Sequence, residues 1–125
     1  MRNIEVAWIF HELADLMEFK GEDFFKIRAY RNASRVLAGL NEPVAEVWKR
    51  GELAKIPGIG KNIASKINEF LTTGHLKKHQ ELLREIPPGL LELMSLPGIG
   101  PKRAGLIHQK LGVSSLEELA GAARE

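Results

Sequence analysis

The sequence predicts an all-α protein made of two small helical subdomains. Apolar residues recur at helical spacing along most of the 125 residues, and no alternating strand pattern of useful length is present. One unit also occurs twice, because residues 52 to 67 match residues 92 to 107 at eight of sixteen positions. A repeat of this quality indicates a structural unit used twice.

Each copy of the unit centres on the tetrapeptide Pro-Gly-Ile-Gly, at residues 57–60 and again at residues 97–100. A short apolar helix leads into the turn and an amphipathic helix follows it, which defines a helix-hairpin-helix motif. Glycine permits positive φ and lacks the Cβ atom that would keep a sugar-phosphate chain away from the N–H groups of the turn. The following helix, which we expect to begin at Gly60 or Gly100, points its unpaired N–H groups and the positive end of its dipole at the same place.

A tight turn that only links two helices is the plain alternative. Two copies in register, each opening a basic helix with no carboxylate in its first turn, instead favour binding of a phosphate backbone. The predicted DNA contacts are the turn glycines and the polar residues that follow them: Gly58, Gly60, Lys61, Asn62, Gly98, Gly100, Lys102 and Arg103.

The other helices follow from local start and stop signals. We predict helices over residues 3–20, 23–38, 43–50, 60–73, 75–85, 88–96 and 100–111, a short one before the first turn, and one more at the capping box Ser114-Ser115-Leu116-Glu117. Phe24 and Trp48 are expected to face inward, and Lys78 and His79 to lie on an exposed face.

Ile86-Pro87-Pro88 interrupts the helical pattern and is the predicted boundary between the two subdomains. Residues 1–86 then form one subdomain with the first hairpin, and residues 87–125 form a second with the second hairpin. No stop signal follows the last predicted helix, so we expect the chain to be truncated there and to continue in a longer protein.

The distribution of charge is more informative than the net charge of +2. The first 23 residues hold six acids, whereas residues 26–35 hold four basic residues and no acid, and residues 53–80 hold five lysines against one acid. We expect the acidic segment to face water or a partner, and the basic segments to form a nucleic-acid footprint. With no cysteine, signal peptide or membrane span in the sequence, we expect a cytoplasmic protein.

Four motifs together resemble the amino-terminal region of family X DNA polymerases. They are Phe25-Lys26-x-x-Ala29-Tyr30-Arg31, Leu53-x-x-Ile56-Pro57-Gly58-Ile59-Gly60, the run from Ile63 to Lys78, and Leu96-Pro97-Gly98-Ile99-Gly100-Pro101. The resemblance covers nearly the whole chain. In order, it is similar to the small lyase domain and then to the fingers-type subdomain, and bacterial members look closest.

The resemblance implies that both hairpins grip the DNA backbone on either side of a gap or nick. It also implies a monovalent cation, K⁺ or Na⁺, held at each turn by backbone carbonyls. On this sequence those carbonyls belong to Ala54, Ile56 and Ile59, and to Met94, Leu96 and Ile99. Such a cation would lie between two sets of negative oxygens and help neutral main chain to bind phosphate.

The resemblance further implies a 5'-deoxyribose phosphate lyase with Lys66 as the Schiff-base nucleophile, and with Lys26, Tyr30 and Lys78 around the phosphate. Two positions depart from the lyase pattern, because Asn62 replaces a basic residue and Ser65 replaces an acidic one. A nucleophilic lysine must be neutral, so a reference pKa of ~10.4 would have to fall by ~3 units for work near neutral pH. Alternatively, Lys66 is a solvent lysine that contacts DNA or pairs with Glu69.

Polymerisation needs clustered carboxylates that hold two metal ions, and the only aspartates are Asp15 and Asp23 in the acidic segment. This chain by itself is therefore not expected to polymerise DNA. Our first hypothesis is sequence-independent binding of gapped or nicked DNA, as the amino-terminal part of a family X repair polymerase at the bacterial nucleoid. An active lyase and a helical protein-interaction module are the alternatives. No residue favours a dimer, so we expect a monomer.

Overall fold

The structure is a computed structural model that describes residues 2–111. Those residues form seven α-helices and no strand, which confirms the predicted all-α class. The helices are α1 (Asn3–Lys20), α2 (Phe24–Ala38), α3 (Val44–Lys49), α4 (Lys61–Thr73), α5 (Lys77–Glu85), α6 (Pro88–Ser95) and α7 (Gly100–Leu111), and a 3₁₀ turn (Leu53–Lys55) precedes the first hairpin. The helix predicted at the Ser114 capping box lies outside the described residues.

Local chemistry explains where the helices begin and end. Gly21 closes α1 in the left-handed region at φ 72°, as its position predicts. The Asp23 carboxylate accepts a hydrogen bond from Phe25 N–H at 3.0 Å, so Asp23 is the N-cap of α2 rather than its first residue. Helix α5 begins later than predicted because the Glu69 carboxylate accepts from Lys77 N–H at 2.7 Å and fixes the start there.

Helix α1 is the centre of the fold. It packs against α2, α5 and α7, and Phe10, Leu13 and Leu16 on it are fully buried. Leu90 and Leu93 of α6 belong to the same hydrophobic core. Apolar contacts therefore run continuously from the helices of the first helix-hairpin-helix motif to those of the second. The subdomain boundary at residues 86–88 stays a prediction.

Helix α7 approaches the end of α1 so closely that only glycine fits at one position. A Cβ atom on Gly105 would lie 2.7 Å from the backbone carbonyl oxygen of Phe19. This contact fixes the second hairpin against the helix that organises the first. None of the described helices is long and apolar enough to cross a membrane.

Several predicted side-chain positions are wrong. Phe24, expected inside, is 65% exposed in the first turn of α2. Trp48 is only half-buried, and its indole N–H donates to Asn68 Oδ1 at 2.7 Å. Lys78 and His79, expected on an exposed face, are half-buried because α5 packs back against α1.

Candidate nucleic-acid interface

The first turn presents an open helix start. Ile59 is buried and anchors the turn, while Gly60 is the N-cap of α4 and Lys61 and Asn62 follow on the exposed side. The first intrahelical bond runs from Ala64 N–H to Gly60 O at 2.9 Å. The N–H groups of residues 61–63 therefore have no acceptor in the described part of the chain. They lie at the positive end of the helix dipole.

The two glycines of this turn have different roles, which the sequence did not predict. Gly58 has φ 90°, and a Cβ atom there would lie 2.9 Å from Asn32 Nδ2 and 3.2 Å from Val36 Cγ2. Its missing side chain therefore serves packing against α2. Gly60 has φ −85°, so it does not use the positive φ that glycine permits, and a Cβ atom would meet nothing within 4 Å. Gly60 is thus the glycine that leaves open space in front of the helix.

The second turn repeats the sequence but not the whole conformation. Gly98 and Gly100 have φ 83° and 65°, and both face open space. Gly100 is therefore left-handed where Gly60, at φ −85° and ψ 179°, is extended. Lys102 is exposed, whereas Arg103 donates to Gly98 O at 2.7 Å and so braces its own turn.

Both turns contain backbone oxygens that suit a monovalent cation. Ala54 O and Met94 O are each three residues before a proline, which has no N–H to donate, and neither accepts a hydrogen bond within the described residues. Ile59 O and Ile99 O likewise accept none there. Ile56 O and Leu96 O each accept one, from the N–H three residues on, at 2.9 and 3.2 Å. Neutral carbonyl oxygens of this kind replace the hydration shell of K⁺ in other sites, so the donor set fits.

Four residues distant in the sequence line one cleft. Lys26 and Tyr30 come from α2, Lys66 from α4 and Lys78 from α5, and they surround about 390 Å³ of space together with Asn62, Met17, Glu22 and Asp23. These are the four residues that the resemblance places around a lyase site. Lys61, by contrast, is exposed on the first turn of α4 and is not among the cleft-lining residues.

Charge in the cleft is partly neutralised by the protein itself. Lys78 Nζ donates to Glu22 Oε1 at 2.7 Å, and this hydrogen bond raises the pKa of the Lys78 ammonium. Burial raises the pKa of Tyr30, which stacks on Phe10 with ring centroids 5.9 Å apart, while the Lys78 charge opposes that rise. Among described residues Lys66 has no ion pair.

The alternative pairing of Lys66 with Glu69 is not found, because the Glu69 carboxylate caps α5. This leaves the Lys66 ammonium available to the cleft.

Part of the acidic segment, which we expected to face water or a partner, pairs with basic residues of the chain itself. Asp15 and Glu18 both accept from Arg31, at 2.9 and 2.8 Å, and Glu12 pairs with His79 at 2.9 Å. Burial lowers the pKa of Arg31, but its hydrogen bonds to Glu18 and Asp15 outweigh this and raise it. Arg31 is therefore a bridge between α1 and α2 and not a free cation for DNA.

A second, more apolar cleft of about 620 Å³ separates the start of α2 from α7. Phe24, Ile27 and Leu106 line it, with Arg28 and Lys102 at its charged margin. Sequence reasoning missed this cleft, because residues of two helices distant in the sequence, α2 and α7, line it and no local pattern indicates that.

Comparisons with known proteins identify both hairpin regions. Residues 1–76 match the family described as helix-hairpin-helix domain, and residues 90–125 match the SAM-like helix-hairpin-helix tandem. The whole chain is 30% identical to the DNA polymerase/3'-5' exonuclease PolX of Bacillus subtilis (strain 168), of which it covers 21%. Over 97% of its length it is 31% identical to DNA polymerase lambda of Rattus norvegicus, of which it covers 20%. The chain thus spans about a fifth of these relatives, and the resemblance inferred from the motifs is confirmed.

Proposed function

Because the chain belongs to the helix-hairpin-helix domain family and corresponds to the amino-terminal region of family X DNA polymerases, we propose that it binds gapped or nicked DNA through the sugar-phosphate backbone. The observation that carries this proposal is the pair of open turns, each followed by a basic helix. Backbone contacts hold no base information, so binding is independent of sequence.

At the first turn one phosphate binds the free N–H groups of residues 61–63, with Gly60 leaving room and Lys61 adding charge. At the second turn Lys102 and the open space at Gly98 and Gly100 play the same part. Arg103 uses one N–H to brace the turn and keeps its other donors for a phosphate.

The two sets of turn carbonyls hold K⁺ or Na⁺. A cation bound there supplies positive charge between the carbonyl oxygens and a DNA phosphate. The support for this is the set of carbonyl oxygens left without donors at equivalent positions of both turns.

The cleft around Lys66 accounts for the preference for a gap or nick. Lys26, Lys66 and Lys78 place three ammonium groups around a space that suits the 5' phosphate at the margin of a gap. Tyr30 lines the same space and offers a hydroxyl. In this proposal the protein acts as a monomer within a longer repair polymerase, in the cytoplasm at the bacterial nucleoid.

Fluorescence anisotropy tests this function with gapped, nicked and intact duplexes of two unrelated sequences. We expect equal Kd values for the two sequences and tighter binding of the gapped and nicked forms. The log of the association constant should fall by ~0.9 per phosphate contact for each unit of log salt. One phosphate at each of the two turns and one in the cleft give a slope of about −3. Salt-insensitive binding, or a strong preference for one base sequence, would contradict the proposal and favour a protein-interaction module.

A second candidate function is 5'-deoxyribose phosphate lyase activity, favoured by the position of Lys66 beside the three other cleft residues. The Lys66 amine attacks the C1' aldehyde of the sugar and loses water to form a Schiff base. β-Elimination then removes a C2' proton and breaks the C3'–O bond, with the 5' phosphate of the downstream DNA strand as the leaving group. Water finally hydrolyses the Schiff base, which releases the unsaturated sugar phosphate and regenerates Lys66.

Borohydride trapping on gapped DNA with a 5'-deoxyribose phosphate tests this activity. Lys66→Ala should abolish the covalent adduct while DNA binding survives. Lys61→Ala, on the same helix but outside the cleft, should keep the adduct. Tight binding by the unmodified protein with no adduct would leave a DNA-binding module without lyase chemistry.

A further inference from the structure

Glu22 places a carboxylate inside the cleft proposed for the 5' phosphate. Its side chain lines the space beside Lys26, Tyr30 and Lys66, and its Oε1 lies 2.7 Å from Lys78 Nζ. Asp23, the neighbouring acid, is committed to capping α2. Glu22 is therefore the carboxylate of this cleft that pairs with one of its lysines.

One oxygen of the Glu22 carboxylate lacks a hydrogen-bond partner among the described residues. Its Oε2 is buried and has no hydrogen-bond donor in the described part of the chain. A buried acceptor without a donor is costly, so this oxygen lowers the stability that the carboxylate gains from its pairing with Lys78. The Lys78 ammonium is what holds it there.

Lys78 differs from the other lysines of the cleft. Within the described residues, Lys26 and Lys66 have no ion pair, whereas Lys78 is paired. A phosphate that enters between these three lysines must take Lys78 from Glu22. A phosphate and a carboxylate held close together repel each other, and such like-charge contacts weaken binding strongly.

We propose that Glu22 is a built-in competitor of the 5' phosphate, which occupies Lys78 in the free protein and sets the affinity of the cleft by yielding that lysine. This inference rests on the proposed binding of a 5' phosphate in the cleft. It explains a carboxylate at the centre of a cationic cleft, because a competitor keeps the lysines in place without ligand and lets a bound DNA end leave.

The test compares the unmodified protein with Glu22→Gln on gapped DNA carrying either a 5' phosphate or a 5' hydroxyl at the margin. Glu22→Gln should bind the 5'-phosphate DNA about 10-fold more tightly, and the 5'-hydroxyl DNA within about 2-fold of the original value. Glu18→Gln is the matched control, because it removes the same charge from a carboxylate that pairs with Arg31 and does not line this cleft. That variant should show no selective gain.

A measurement on the unmodified protein guards against a folding defect in Glu22→Gln. The ¹³C shift of the Glu22 carboxylate should move when 5'-phosphate DNA is added and should stay in place with 5'-hydroxyl DNA.

Each outcome has one meaning. Equal or weaker binding by Glu22→Gln, when the unmodified protein does distinguish phosphate from hydroxyl, overturns the inference and leaves the proposed function standing. If neither protein distinguishes the two ends, the assignment of the cleft fails and the inference fails with it. If the unmodified protein does not bind DNA, the proposed function itself is wrong.

Discussion

Alanine substitutions at the two glycines of the first turn separate folding from binding. At Gly60 the backbone has φ −85° and ψ 179°, a conformation open to any residue, and a Cβ atom would meet nothing within 4 Å. Alanine is a poorer N-cap than glycine. It also lowers the conformational entropy of the unfolded chain, which stabilises the folded state by about 0.4–1 kcal/mol. These effects oppose each other, so Gly60→Ala should change the free energy of unfolding by less than about 0.5 kcal/mol.

Gly58→Ala should behave differently. A left-handed backbone costs a residue with a side chain about 1–2 kcal/mol, and φ here is 90°. The new Cβ atom would also lie 2.9 Å from Asn32 Nδ2 and 3.2 Å from Val36 Cγ2. The Asn32 side chain can move only by giving up its hydrogen bonds to Gly58 O and Arg35, and a β-branched valine on a helix has one strongly preferred rotamer, which adds about 1 kcal/mol of overpacking. The free energy of unfolding should fall by about 2–3 kcal/mol.

For DNA affinity, Gly60→Ala should have the larger effect of the two substitutions. The methyl group of Gly60→Ala stands in front of the free N–H groups of residues 61–63, so affinity for gapped DNA should fall about 10-fold. Urea unfolding followed by circular dichroism gives the stabilities, and anisotropy titration gives the affinities. Unchanged DNA affinity in Gly60→Ala would refute the phosphate site at α4, and unchanged stability in Gly58→Ala would refute the packing argument.

Three further predictions concern the supports of the site. Arg31→Lys should lower the free energy of unfolding by about 1 kcal/mol, because lysine cannot reach both acids of α1, whereas Arg28→Lys should change it by less than about 0.5 kcal/mol in the same urea titration. Gly105→Ala should lower it by about 1–3 kcal/mol, since its Cβ atom would be 2.7 Å from a backbone oxygen of α1, and a Tm equal to that of the unmodified protein would contradict that contact. The pKa of Lys78 is raised in the folded state, so its contribution to stability is complete below pH ~10.4 and is lost as pH rises through the raised pKa. Glu22→Gln should therefore reduce the loss of stability measured above that pH.

The features predicted correctly depend on local chemistry. Proline and glycine at the turns, Gly21 after α1 and the apolar spacing of the helices act over a few residues, so the sequence alone locates the hairpins. The different conformations of Gly60 and Gly100 could not be predicted in this way, because the two tetrapeptides are identical.

Features that depend on how helices pack could not be predicted. Arg31 lies at helical spacing with two other arginines and so looked like part of a basic face, yet α1 places two acids opposite it. Glu22 lies in a segment that looked acidic throughout, and only the approach of α5 brings it to Lys78. The four cleft residues were placed together by family resemblance, whereas periodicity within one helix could not have joined them.

The most direct test of backbone gripping by the two turns is a ¹⁵N-HSQC titration of the protein with gapped DNA. The largest amide shifts should fall in two clusters, at residues 58–63 and at residues 98–103 apart from Pro101, which has no N–H, and be the same for DNAs of unrelated sequence. Shifts concentrated elsewhere, with both turns unchanged at saturating DNA, would contradict the account.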